Sequence, residues 1–282
     1  MEVGQLSESL EYVSCSGVFI RPEKLEFLKN SLVVLQKENH FKKTYYWGKI
    51  IGSENDYHIA YGYIKDCIKD QIYYYSFNCL DWLLLPKVTR TARVLTPLAS
   101  NLFQGNPSNV SIIDLADELF IHNLNEVTNI LESPISKNLK EEDRLAVTID
   151  MINKQTMVIP RGSLLRCQEG DIVENPAFSG CLNLRESVQL KSYLHARLPQ
   201  AKCNDNLLKI YDYNYCLDFL DSIYADIPEK SWNLQLLSKN NTIILQNLCW
   251  PGMTFYHITN SPYYGSIYVG NGKRNFNVPF MV

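Results

Sequence analysis

Near its C-terminal end the chain reads GNGKRN, residues 270–275, with two glycines followed by two basic side chains. Glycine lets backbone N–H groups converge on an anion and lysine supplies a charge, so phosphate binding is the first chemistry to test. A Walker loop needs G-x-x-x-x-G-K-S/T opening a helix. Here only Gly272-Lys273 fits, and Arg274 stands where the hydroxyl should be. A dinucleotide loop needs three glycines inside a βαβ unit, which this stretch lacks. Asn271-Gly272 is instead the pair preferred in a two-residue hairpin turn. The pattern therefore predicts a turn between two strands, with a phosphate site at 270–274, and so a cytosolic enzyme, as the alternative.

Metal chemistry is the second test. Eight cysteines (Cys15, Cys67, Cys79, Cys167, Cys181, Cys203, Cys216 and Cys249) accompany five histidines. Structural zinc sites take their ligands in closely spaced pairs. The nearest two cysteines here, Cys67 and Cys79, are twelve positions apart. Cys216 sits on an apolar helical stripe and Cys249 inside a strand-like run, so both read as small buried hydrophobes. The acids of DYNYCLDFLDSIYAD lack the glycine and glutamate of a calcium loop. They read as the solvated face of a helix. Ser179, in A-F-S-G, lacks the first glycine of a nucleophile elbow. His58 and His257 fall in strand runs and His195 near a helix end, each a place for a structural histidine. No residue is thus assigned a catalytic, cofactor-binding or metal-binding role.

The elements that would position such residues follow from periodicity. Leu25, Leu28, Leu32 and Leu35 recur at helical spacing after Pro22, which suits a first helical turn. The period then changes to two in TYYWGKIIG, YHIAYGYI and QIYYYSFN, a three-stranded antiparallel meander joined by short polar links. TRTARVLTPLASNLF predicts a short helix broken at Pro97, and EEDRLAVTIDMINK predicts a longer one. TMVIPRGSLLRC reads as strand, turn, strand. Asn183 with Glu186 resembles a capping box for a helix running to Pro199. YCLDFLDSIYADIP predicts another helix, ended by Pro228. WNLQLL, TIILQNLCW, MTFYHI and SIYVGN are four further strands, the second apolar on both faces and therefore central. This order predicts an α+β fold with a mainly antiparallel sheet and packed helices. The chain is expected to form a single domain over residues 1–282, with a variable surface insertion at about 100–140.

Composition narrows the class. The 282 residues carry a formal net charge of −3, so no nucleic-acid footprint is expected. No run of 18 apolar residues suggests a membrane helix. The start, MEVGQLSESLEYV, has no basic and apolar leader pattern, and free thiols in a reducing cytosol are expected. Eighteen tyrosines are the excess. Tyr45-Tyr46-Trp47 and Tyr73-Tyr74-Tyr75 lie in predicted strands, where consecutive residues face opposite ways. Each cluster then places one aromatic in the core and one on an outer face. That outer face is either covered by the chain itself or is a protein-binding surface.

Several ordered blocks resemble one family. YYWGKIIGSENDYHIAYGY is similar to the W-G-K/R-I-x-G-x-x-x-D-Y-x-I-A-x-G segment of radial spoke head protein 9. YYSFNCLDWLLLP resembles its Y-S-x-N-C-x-x-W-x-L-L-P stretch, and LFQGNPS its F-x-G-D-P-S, with Asn106 for aspartate. VIPRGSLL, SYLHARLP, LDFLDSIYADIPEKSWNLQ, NLCWPGMTFYH and YGSIYVGNGKRNFNVPFMV follow in the family's order. The resemblance runs from about Leu25 to Val282 and is weakest over 110–140. It implies a non-enzymatic structural subunit of the radial spoke head, in the axoneme of motile cilia and flagella, within the cytoplasm and cytoskeleton. It further implies assembly with the head proteins of the four and six type, with which a distant fold is shared, and with further head and neck components. A second copy of the chain is a further partner to consider. Such heads face the central pair and pass signals to the dynein arms. No cofactor, nucleic acid or membrane is implied.

Overall fold

The computed structural model describes residues 1–114, 136–180, 183–200, 214–237 and 241–281. Eight strands form one sheet, in the order β11-β12-β13-β14-β1-β2-β3-β4. The N-terminal meander is β1 (Lys43–Ile50), β2 (Tyr57–Tyr63) and β3 (Ile72–Ser76), with the two-residue β4 (Leu83–Leu84) on its rim. The C-terminal ladder is β11 (Trp232–Leu237), β12 (Thr242–Asn247), β13 (Met253–Ile258) and β14 (Tyr264–Gly270). All neighbours run antiparallel except β14 and β1, which pair in parallel at Gly48↔Tyr268 to Ile50↔Gly270. The α+β class with a mainly antiparallel sheet is therefore as expected. The parallel seam that fuses meander and ladder was not legible in either segment.

Glycine 48 makes that seam possible. The β1–β2 register shifts between Tyr46 and Gly48, which leaves a bulge there, and Gly48 has φ +137. A Cβ at this position would overlap the Tyr268 backbone. Only glycine allows both the bulge and the close approach of β14. Beyond the seam the two strands diverge, and the first residues fill the gap. Glu2 bridges Tyr45, and the Tyr46 N–H donates to the Met1 carbonyl at 2.8 Å.

Helices cover both faces. α1 (Leu6–Val13) and α2 (Pro22–Glu38) lie on one, where Leu6, Leu10, Leu28, Leu32 and Leu35 pack with Tyr46, Tyr74, Tyr256 and Ile267. The opposite face receives α4 (Glu141–Thr156), whose Leu145, Ala146, Ile149 and Ile152 meet Trp47, Tyr57, Tyr61 and Tyr268. The short helix α3 (Arg90–Leu95) precedes it, capped by the Thr89 hydroxyl and followed by a 3₁₀ turn containing Pro97. α3 and α4 share a small core with a ribbon of β5 (Val110–Asp114) and β6 (Ser136–Lys140). Most of the expected insertion at 100–140 lies outside the described residues.

Between residues 158 and 228 one sequence expectation holds and two fail. TMVIPRGSLLRC is strand, turn, strand as expected, although its two strands pair with other partners. β7 (Val158–Pro160) pairs β10 (Tyr193–His195), while β8 (Leu164–Arg166) pairs β9 (Ile172–Glu174). The helix expected from Asn183 to Pro199 stops after one turn, α5 (Leu184–Ser187), and its tail becomes β10. The Asn183 side chain caps no backbone N–H; its amide reaches Glu186 Oε1 at 3.4 Å. YCLDFLDSIYADIP holds no α-helix beyond residue 214, only the 3₁₀ turn Ile223–Ala225. The physical cause is the same in both failures. Tyr193 and Ile223 are buried against Trp232, Ile243 and Phe255 on the sheet, and this long-range burial outweighs a weak helical preference.

Candidate interaction surface

The 270–274 segment does not close a hairpin, because among the described residues no strand follows Gly270; α6 (Val278–Met281) comes next. The Gly272 N–H donates to the Tyr268 hydroxyl at 3.0 Å, and a Cβ on Gly272 would press into Phe103 at 2.8 Å. Lys273 Nζ donates to the Ser100 carbonyl at 2.6 Å, and the Arg274 guanidinium lies over the Phe276 ring at 5.3 Å. The segment is thus a strap that fastens the chain end onto the loop before α4. A cleft of about 490 Å³ lies nearby, but neither Lys273 nor Arg274 lines it.

The acids of the 212–226 run have internal partners, contrary to the solvated helix face expected of them. Asp212 lies outside the described residues. Asp218 accepts from Arg161 at 2.7 Å, and Asp221 from Arg197 at 2.6 Å. Asp226 accepts from the Trp232 indole at 2.8 Å and lies 2.7 Å from His195 Nε2. His195 lies in β10 rather than at a helix end, with its Nδ1 buried and unpartnered. His58 contacts the Tyr46 hydroxyl at 2.8 Å, and His257 the Tyr193 hydroxyl at 3.3 Å. Burial lowers the pKa of each to about 4, which keeps both rings neutral. Among the described residues no three His, Cys, Asp or Glu side chains cluster as metal ligands. Cys15, Cys67, Cys79, Cys167, Cys216 and Cys249 are free thiols, and Cys181 and Cys203 lie outside the described residues. Cys216 is exposed in a turn rather than buried on a helix, and Cys249 is buried just past the end of β12. Ser179 is exposed.

The tyrosine clusters turn inward. Tyr45, Tyr61 and Tyr73 stack across β1, β2 and β3 at centroid separations of 5.1 and 5.3 Å. Tyr46, Trp47, Tyr74 and Tyr75 are all buried under the chain's own helices. Glu174 joins the stack to β9, accepting from Tyr45 at 2.7 Å and Tyr63 at 2.9 Å and pairing Lys43 at 2.8 Å. Burial opposes ionisation of Glu174, but these donors outweigh it and hold its carboxyl below the ordinary range. Of the two readings of the outer aromatic face, the structure favours cover by the chain itself over a protein-binding surface at these clusters: a two-sided sheet needs bulk on both faces.

A second carboxylate, this one fully buried, organises the FQGNPS block. Glu141 accepts from the Tyr57 hydroxyl at 2.7 Å and from the N–H groups of Gln104, Gly105 and Asn106 at 3.0, 2.8 and 3.2 Å. One turn on, Arg144 donates to the Asn101 carbonyl and lies over the Phe103 ring. Burial alone would raise the Glu141 pKa, yet its N–H and hydroxyl donors bring it below normal. The loop is wrapped around a carboxylate of its own chain, a structural use of anion-binding geometry.

Exposed apolar side chains lie elsewhere. Leu80, Leu83 and Leu84 stand at the β4 rim, beside a groove of about 720 Å³ that Ile72, Pro86, Val88 and Leu198 help to line. Tyr224, Ile227 and Leu236 surround the opposite end of the sheet, and Phe276 and Phe280 mark the chain end. Among the described residues no helix is long and apolar enough to cross a membrane.

These features define an α+β protein whose polar networks serve its own fold and whose apolar side chains are exposed in separate patches. No protein-family model matches the chain. Curated relatives do. The radial spoke head protein 9 homologues of cow and human are each 36% identical over 282 residues, and the zebrafish homologue 33% over 283, covering the whole of both chains in every case. The chain belongs to the radial spoke head protein 9 family.

Proposed function

We propose that this chain is a non-enzymatic structural subunit of the radial spoke head in the ciliary or flagellar axoneme. It contributes to head assembly and to passing signals between the central pair and the dynein arms. The observation that carries this reading is end-to-end identity of 36% to relatives named as radial spoke head proteins. The internal use of Glu141, Glu174 and Lys273 supports it, since the polar groups that sequence patterns offer for chemistry already have partners in the fold. The whole chain acts as one scaffold unit. Its partners are other head subunits, of the four and six type among them, together with neck components. Those partners meet the exposed apolar patches rather than the tyrosine stack.

The test is localisation and capture. A tagged copy expressed in a motile-ciliated cell is expected in axonemes, and it should be recovered from them with other spoke head subunits. A tagged copy that functions in motility yet stays in the cell body, or leaves the axoneme alone, would overturn the proposal.

A further inference from the structure

The eight-stranded sheet has two ends, and they are finished differently. β4 is two residues long and is followed by Pro86, two common ways to stop a sheet from adding strands. β11 has neither device. Its six residues, WNLQLL, contain no charge and no proline, and its register with β12 runs unbroken from Trp232↔Asn247 to Leu237↔Thr242.

The direction of its free groups follows from the ladder. The Leu248 N–H donates to the Ser231 carbonyl at 2.9 Å, so residue 231 faces β12. By strand alternation residues 233, 235 and 237 face β12 too. Trp232, Leu234 and Leu236 then point their N–H and C=O groups away from the sheet, where no described backbone group bonds to them. An uncovered row of such groups is a template for another strand.

We propose that β11 pairs antiparallel with β11 of a second copy, about a two-fold axis at Leu234. This rests on the reading of the chain as a scaffold subunit, and it names the surface at which two copies meet. The strand is complementary to itself in this register. Leu234 faces Leu234 of the second copy, and Trp232 faces its Leu236, so every outward N–H finds a carbonyl. On the other face Asn233 meets Gln235 of the second copy, an amide opposite an amide. No charge opposes another charge within the paired strands. Ile227, 91% exposed, and Tyr224, 63% exposed, lie just before the strand and widen the apolar contact.

A six-residue edge buries less than the roughly 1,200 Å² of a standard stable interface. The pure chain should therefore form a weak dimer, with a dissociation constant on the order of 10 µM. Tethering both copies in one assembly would raise the effective concentration and make the pairing persistent.

Sedimentation equilibrium of the full chain from about 1 to about 200 µM brackets that range. A monomer–dimer equilibrium is expected. Leu236→Lys places a charge opposite the second copy's tryptophan and should weaken it about tenfold or more. Leu234→Pro removes an outward N–H that the monomer does not use, and should abolish it. Gln235→Lys, at an exposed position, is a third variant in case the proline variant fails to fold. Leu84→Lys at the opposite rim should leave the equilibrium unchanged. A wild-type chain that stays monomeric throughout overturns the proposal, as does self-association unchanged in the folded Leu236→Lys and Gln235→Lys variants. So does a monomeric chain whose capture of a different head subunit depends on β11. None of these results would touch the spoke head reading, which stands or falls on capture from axonemes.

Discussion

The meander and the ladder are halves of one sheet, built on different plans. The meander β1–β3 is aromatic and closed. Its tyrosines stack across the strands, its hydroxyls reach Glu174, Glu141 and Glu142, and its outer rim stops at β4. The ladder β11–β14 is more aliphatic at its far end and open, with Ile243, Ile244 and Leu245 buried and β11 unpaired on its outer side among the described residues. The density of tyrosine, which draws attention in the sequence, therefore marks an enclosed part of the molecule. The plainest six-residue strand marks the part most ready to accept another chain.

Substitutions can break this contrast, and the largest effect belongs to the closed half. Glu141→Ala leaves the Tyr57 hydroxyl and three backbone N–H groups without their acceptor. It should cost about 3–5 kcal/mol of unfolding free energy, measured by urea denaturation. A loss below about 1 kcal/mol would mean that water serves the loop equally well.

Next in size is the response to acid. The folded-state pKa of His58 and of His257, each about 4, lies below the ordinary histidine value of 6.5. The unfolded chain therefore binds more protons between those values, and stability falls as pH drops through that window. At 1.36 kcal/mol per pH unit, each ring contributes on the order of 3 kcal/mol that is present above pH 6.5 and gone by pH 4. Glu141 and Glu174, held below their ordinary values, add their loss only in the more acidic part of the titration. Melting temperatures measured from pH 7 to pH 4 should fall steadily, and less steeply in a His257→Gln variant.

Two tyrosines test the stack itself. Tyr45→Phe removes one donor from the half-buried Glu174 and should cost about 1–2 kcal/mol. Tyr61→Phe keeps the ring in the stack and removes a hydroxyl beside a small cavity of about 80 Å³. It should change stability by less than about 0.5 kcal/mol. Equal losses in the two variants would show that the hydrogen bond from Tyr45 to Glu174 adds nothing beyond the loss of a hydroxyl.

A small effect is also expected at the strap. Lys273→Ala with Arg274→Ala removes one exposed hydrogen bond and one ring contact. It should lower stability by about 1 kcal/mol or less, read as a small shift in the urea midpoint.

Much of this architecture can be read from residues in order. The leucine stripe of α2 appears as a 3.6-residue period, and the meander and the ladder appear as alternation. Local pattern is sufficient there because each element buries its own regular face. The region from 158 to 228 is different. LRESVQLKSYLHARLP has a helical pattern, yet Tyr193, Leu194 and His195 extend as β10 because β7 offers hydrogen bonds and the sheet offers a buried site. The Gly48 bulge was equally hidden, since its purpose depends on Tyr268, 220 positions away.

The amino-acid sequence alone determined the class and the family. Periods of 3.6 and two are local properties, and ordered blocks survive without knowledge of contacts. Only the tertiary structure decided where the tyrosines point, that Glu141 and Glu174 serve the fold, and which end of the sheet is left open. Those outcomes depend on pairings between residues far apart in the chain, and burial is a property of the neighbours a residue acquires. Asn271-Gly272 shows the difference: its dipeptide favours a turn, but only Phe103, Thr148 and Ser100 around it make the segment a strap.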